Sequence, residues 1–341
     1  MLLSLESIGL KAKEMSTTIG VDIGGTKILA LALSSEGKIL LERRISSPPR
    51  SKGPGALFEG LEAVCKDLLS SLIDDGISDI GAVGIGAPGL IDRNGVMSYA
   101  PNLLGAVRVE LRTELERRLE GIPVVVDNDA TLATIAEHLL GAGGEALNLV
   151  MVTLGTGIGG GIVSDGKIRR GAHGFAGEVG HMVVVRDGIL CTCGNHGCWE
   201  QYASGSALGR IGREAAVRGR AKAAVAIAGG DPTAVTGEHV TAAALDGDRD
   251  SIELLEEVGS WLGLGLSNLA NLLDPDILVV GGGLIEAGEL LLRPATATFQ
   301  EMLEGGRMRP KPPIVAATLG ERAGAIGAAL IARENPPLSF S

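Results

Sequence analysis

Three glycine-rich loops, each directly behind an apolar run, constrain this chain more than any other feature. They are DIGGTK at 22–27, LGTGIGGG at 154–161 and GGG at 281–283. Glycine lets backbone N–H groups approach an anion closely, and threonine adds a hydroxyl donor. Neither threonine-containing loop fits G-x-x-x-x-G-K-[ST], which excludes the P-loop. One such loop would be explained equally well by a hairpin turn. Three behind three strands point instead to phosphate binding by the first two.

The flanking pattern predicts a mixed order of strands and helices. A strand starts near Thr18, breaks at Gly24-Gly25 and resumes. Residues 56–73 form an amphipathic helix with Phe58, Leu61, Cys65, Leu68 and Leu72 on one face, which places Cys65 in a core. A strand at 82–89, a charged helix at 108–119, a strand behind Pro123 and a helix from about Ala130 to Leu140 follow. A second strand-turn-strand at 149–168 echoes the first too briefly to establish an internal duplication. Residues 171–200 form a Gly-, His- and Cys-rich insertion, helices fill much of 204–272, DILVV is the last strand, and 321–334 is a closing helix. Glycines at strand ends favour an α/β fold whose ligands bind at the carboxyl ends of strands.

Bulk properties narrow the function classes. A chain of 341 residues exceeds the size at which one core keeps growing, so two domains are expected. Aromatics are 2%, so the cores are aliphatic. A net charge of -11 argues against nucleic acid or an anionic membrane as a partner. The most apolar helical stretch, 258–273, carries two serines and two asparagines and reads as a buried helix, not a membrane span. The N-terminus has neither a basic n-region nor an A-x-A site, which favours the cytoplasm. Residues 1–14 lack a pattern leading into the first strand, and Met15 precedes it, so a mis-assigned start or a disordered tail is expected at 1–17.

Two clusters carry chemistry. VDND at 126–129 ends a strand and begins a helix, where Asp and Asn serve as caps. One cap suffices there, and three polar residues also suit a carboxylate that takes a hydroxyl proton during phosphoryl transfer. CTCGNHGCWE supplies Cys191, Cys193 and Cys198, one ligand short of a closed tetrahedral zinc site. His173, His181 and His196 are the nearby imidazoles. Gly194 and Gly197 let the chain wrap a metal, and four protein ligands would make the zinc structural.

Taken together, DIGGTK, APG at 87–89, PN at 101–102, DND at 127–129, LGTGIGGG, GEVGH at 177–181 and CTCGNHGCWE resemble the ROK family of repressors, open reading frames and sugar kinases. The match runs in family order over roughly 18–330, and GEVGH followed by the cysteine pattern is its most specific part. The resemblance implies an actin-like ATPase (ribonuclease H-like) fold, with two α/β domains closing over a cleft. The boundaries expected are 18–128 plus 321–341 for a small domain and 129–320 for a large one, hinging near 129 and 320. It implies ATP-dependent phosphorylation of glucose at its 6-hydroxyl, with Mg2+ accompanying ATP and Asp129 as general base. Gly89, Asn102, Asn128, Asp129, Glu178, His181 and Glu200 would contact sugar. Asp22, Gly24, Gly25, Thr26, Lys27, Gly155, Thr156, Gly157, Gly281, Gly282 and Gly283 would form the ATP site. His181 would be the fourth zinc ligand. Ala106 departs from the tryptophan often found there in sugar-kinase members. A homodimer or homotetramer is expected.

Other functions are open at this point. About twenty residues precede the first loop, fewer than a helix-turn-helix unit with its supporting helix needs, which disfavours a repressor. A non-catalytic sugar sensor and a kinase for another hexose or N-acetylhexosamine (N-acetylmannosamine, mannose, fructose) remain alternatives.

Overall fold

The computed structural model describes residues 16–100 and 108–333. Asn102, Ala106 and the expected N-terminal tail up to Met15 lie outside the described residues. The chain divides into two compact units. The first takes residues 1–136, 170–176 and 322–341, and the second takes 137–169 and 177–321. The chain therefore passes between units at 136/137, inside a helix, where the sequence reading had placed the boundary before Asp129. Seven residues of the chain around the start of the expected insertion, 170–176, belong to the first unit.

In the first unit, β1 (Thr17–Ile23), β2 (Lys27–Leu33) and β3 (Ile39–Ser46) are followed by α1 (Gly53–Asp74), then β4 (Ile80–Ala87). Short strands β5 (Leu90–Ile91), β6 (Val96–Tyr99) and β7 (Val109–Glu110) form a small separate sheet, followed by α2 (Leu111–Arg118). β8 (Val124–Asn128) runs straight into α3 (Asp129–Leu140). The main sheet has the order β3-β2-β1-β4-β8, with the first three strands antiparallel and β4 and β8 parallel to β1.

The second unit repeats that plan. β9 (Leu149–Leu154), β10 (Ile158–Ser164) and β11 (Lys167–Ile168) form an antiparallel meander. Helices α4 (Glu200–Ala203), α5 (Gly205–Val217), α6 (Lys222–Ile227), α7 (Gly237–Leu245) and α8 (Arg249–Leu273) precede β12 (Ile277–Gly281). After α9 (Glu289–Met302) comes β13 (Ile314–Ala316). The order β11-β10-β9-β12-β13 again sets two parallel strands beside the meander. The internal duplication that the sequence left open is thus present in the topology. DILVV is not the last strand, as the sequence reading had it. β13 follows it, three residues long and at the sheet edge, too short to show a period. α10 (Ala323–Arg333) closes the described chain and packs on the first unit's sheet.

Each unit has its own aliphatic core. In the first, Phe58, Leu61, Cys65, Leu68 and Leu72 of α1 are buried with the strands. Small residues set the distance between α10 and its sheet. A methyl group on Gly20 would strike the Ala325 carbonyl, and one on Gly84 the Ala328 carbonyl. In the second, α8 is the buried helix expected, packed on α9 through Gly259 and Gly263. Among the described residues no helix is long and apolar enough to cross a membrane.

Candidate functional site

The first unit gathers its polar groups at the carboxyl ends of β1, β4 and β8. β1 ends in a tight turn, closed by the Gly24 N–H donating to the Lys27 carbonyl at 2.9 Å. Gly25 and Thr26 are exposed at its tip. A side chain on Gly25 would meet no protein atom within 4 Å, so packing does not require glycine there. Asp22, partly buried one residue from the end of β1, lies against Gly324 at the start of α10. Burial and the Asp129 charge push its carboxyl up to about 7, with Lys27 offsetting part of the rise.

The end of β8 places VDND. Asp127 is paired with Gly86 of β4 and Asn128 with Ala87, so the two side chains alternate across the sheet. Asn128 caps α3, its Oδ1 accepting from the Thr131 N–H at 3.0 Å. Its Nδ2 donates to the Gly89 carbonyl at 3.2 Å. Gly89 has φ +91, and a Cβ there would collide with the Tyr99 carbonyl, so this turn demands glycine. Asp129 is the first residue of α3, where a carboxylate is favoured by the helix dipole. Its Oδ1 accepts from the Ala130 N–H at 2.8 Å. Asp127 turns inward and pairs with Arg170, Nε to Oδ2 2.6 Å.

In the second unit, β9 and β10 meet in a turn closed by the Gly155 N–H donating to the Gly157 carbonyl at 3.0 Å. Gly155 is exposed with open space around it, as is Gly283 behind β12. Gly157 and Gly282 have other reasons: a side chain on either would strike Glu200 or the Leu154 backbone. Gly281 ends β12. The Glu200 carboxylate, at the start of α4, accepts from the Ile158 N–H at 3.4 Å and from the Cys191 thiol at 3.0 Å. His181 stands between two carboxylates. Its Nε2 is 3.8 Å from Glu178 and its Nδ1 3.8 Å from Glu200. Burial raises the Glu178 carboxyl above its ordinary range, partly offset by His181 and reinforced by Glu200.

His181, Cys191, Cys193 and Cys198 converge, with one ligand atom from each lying within 4.8 Å of the others. The His181 Nδ1 is 3.7 Å from the Cys191 sulfur, and the Cys193 and Cys198 sulfurs are 3.6 Å apart. Ligands at about 2.0–2.3 Å from a tetrahedral zinc lie roughly 3.5–4 Å from one another, and three thiolates with one imidazole are a zinc-type donor set. The residues fit the metal. Cys65 stands apart in the other core, its thiol pushed up to about 12 by burial.

A family model described as ROK family matches residues 18–335. The chain belongs to the ROK family. This ROK chain is 41% identical over 327 residues to the glucokinase of Streptomyces coelicolor, covering 95% of this chain and all of that one. A crystal structure of a ROK family glucokinase from Streptomyces griseus, in complex with glucose and AMPPNP, superposes with a TM-score of 0.82. It is 41% identical and covers 94% of this chain and 100% of its own. The ROK hexokinase of Thermus thermophilus superposes at 0.74 with 31% identity, covering 92% and 97%. The ROK chain therefore has the actin-like ATPase fold expected from its motifs.

Two charged residues of the ROK chain escaped the sequence reading. Arg170, the partner of Asp127, lies 43 positions downstream of it. Glu137 of α3 is fully buried, and its carboxylate accepts from the backbone N–H groups of Ala142, Thr318 and Leu319 at 2.7–2.9 Å. Local spacing does not mark the Asp127–Arg170 pair or the reach of Glu137 to Thr318 and Leu319, because tertiary structure brings those partners together.

Proposed function

We propose that this ROK protein is an ATP-dependent glucokinase, transferring the γ-phosphate of ATP to the 6-hydroxyl of glucose with Asp129 as general base. The observation that carries this is the match, at 41% identity and over its whole length, to a protein named glucokinase. A relative at the same identity has been seen with glucose and the ATP analogue AMPPNP.

The local chemistry of each unit supports the reading. A sugar hydroxyl is a weak nucleophile, so a carboxylate within reach must accept its proton and orient its oxygen. Asp129 is held at a helix start whose cap, Asn128, is itself fixed by Gly89. Gly89, Asn102, Asn128, Asp129, Glu178, His181 and Glu200 are the proposed sugar contacts, and carboxylates can each accept two hydroxyl hydrogen bonds. Gly25, Gly155 and Gly283 have open space where a side chain would stand, so a phosphate can approach the backbone. Asp22 and Asp129 repel one another, and Mg2+ accompanying ATP supplies charge that offsets such repulsion. Zinc, held by His181, Cys191, Cys193 and Cys198, would fix the loop that carries His181 and so orient its ring. Cytoplasmic location and a homodimeric or homotetrameric assembly belong to the same proposal.

A coupled assay with ATP and a panel of hexoses and N-acetylhexosamines tests it. Glucose should give the highest kcat/KM and Mg2+ should be required. A clearly higher kcat/KM for N-acetylmannosamine would overturn the substrate, and no turnover of any sugar would leave a sensor.

A further inference from the structure

The pair formed by Asp127 and Arg170 has no part in the mechanism above, yet it joins the base-bearing tripeptide to a distant piece of chain. Asp127 is 6% exposed, and its two oxygens have separate duties. Oδ2 takes the Arg170 Nε at 2.6 Å, and Oδ1 accepts from the backbone N–H of Asn128 at 2.9 Å. The Asn128 side chain in turn caps α3 and reaches Gly89. Arg170 arrives on a segment, 170–176, that is itself fastened to the first unit. The Arg93 guanidinium donates to the Gly171 carbonyl, and Gly174, at φ +100, lies so close to the Ile91–Arg93 backbone that a Cβ would meet the Ile91 carbonyl at 2.7 Å.

We propose that Arg170 is a positioning residue for the phosphoryl-acceptor machinery, neutralising Asp127 and so holding the charge state and geometry of the Asn128–Asp129 pair. The proposal rests on Asp129 being the base. Only Asn128 separates Asp127 from Asp129 in the chain, so their Cα atoms lie at most about 7 Å apart. An unpaired charge at that distance in a partly buried site shifts its neighbour's titration by about one pH unit or more. Asp22 at the end of β1 feels the Asp129 charge, with Lys27 at the start of β2 opposing it, and Arg93 stands beside Arg170 through the Gly171 carbonyl. β4 contributes no ionisable group, and the start of α10 presents only alanine, glycine and isoleucine. Arg170 is thus the cation that answers Asp127 directly.

The test compares Arg170→Met, Arg170→Lys, Asp127→Asn and the double variant Arg170→Met with Asp127→Asn, in the full chain with ATP, Mg2+ and glucose. Arg170→Met should lower kcat about tenfold and move the acidic limb of the kcat/KM profile up by about one pH unit. Arg170→Lys should fall between it and the native chain. Asp127→Asn should move the limb the opposite way, because Arg170 is then unanswered, and the double variant should return it to the native position. These last two variants carry the test if Arg170→Met does not fold. A merely structural pair would lower the melting temperature and leave every limb in place, and that result would overturn the proposal. A limb still displaced in the double variant would overturn it as well. Asp129→Asn separates the two levels of inference. Normal turnover in it refutes the base itself, whereas its inactivity beside unshifted Arg170 and Asp127 variants refutes only the positioning role.

Discussion

Asp129 and Asp22 are carboxylates of one corner with opposite demands. Asp129→Asn keeps shape and hydrogen-bonding reach but removes the proton acceptor. It should lower kcat by roughly 10²–10⁴-fold while changing the glucose dissociation constant much less, as measured by steady-state kinetics and calorimetric titration. Asp22 titrates near 7 in the folded chain, against 3.8 for a free side chain. Between those values the folded state keeps a proton that the unfolded state has released. Folding stability from this group is therefore lost as pH rises from about 4 to about 7. Asp22→Asn should leave stability unchanged near pH 4 and raise it above pH 7, read from urea midpoints without nucleotide. Parallel pH profiles for the variant and the native chain would contradict this.

Glycine separates packing from ligand approach at the level of elements. Gly84 of β4 lets α10 sit directly on the strand, and Gly84→Ala should cost about 1–3 kcal/mol by overpacking, measured by denaturant unfolding. A Cβ added to Gly25, in the turn between β1 and β2, would meet nothing within 4 Å. Gly25→Ala should change stability by less than about 0.5 kcal/mol and instead raise KM for ATP. Equal loss of stability in both variants would remove the distinction. The turn itself was legible in the sequence because an apolar run broke at Gly24-Gly25. Which glycine faces open space was not, since that depends on what packs against each turn from elsewhere in the chain.

On the scale of the molecule, the cluster of His181, Cys191, Cys193 and Cys198 lies wholly within the second unit, and each unit has its own core. Because unfolded chain offers no preformed site, zinc binding adds to the folding free energy of the unit that holds it. Removing zinc with a chelator should lower the second unit's calorimetric transition and weaken glucose binding through His181. The first unit's transition should stay in place. Elemental analysis finding no zinc in fully active protein would refute the metal assignment.

The sequence by itself determined the class of fold and the family. Glycine loops behind apolar runs marked the β1–β2 and β9–β10 hairpins, the 56–73 stripe marked α1, and the closely spaced cysteines marked the metal cluster. Each of those signals is written within a few residues, where periodicity and spacing act. Tertiary structure alone decided that the two sheets share one strand order, because equivalence of topology needs no equivalence of residues. Spacing left His173, His181 and His196 open, the family resemblance named His181, and the fold brings His181 to the three cysteines with ligand atoms within 4.8 Å. It also brought Arg170 to Asp127 and the Thr318–Leu319 backbone to Glu137. A buried charge must find its partner wherever the folded chain provides one, and no local pattern records where that is.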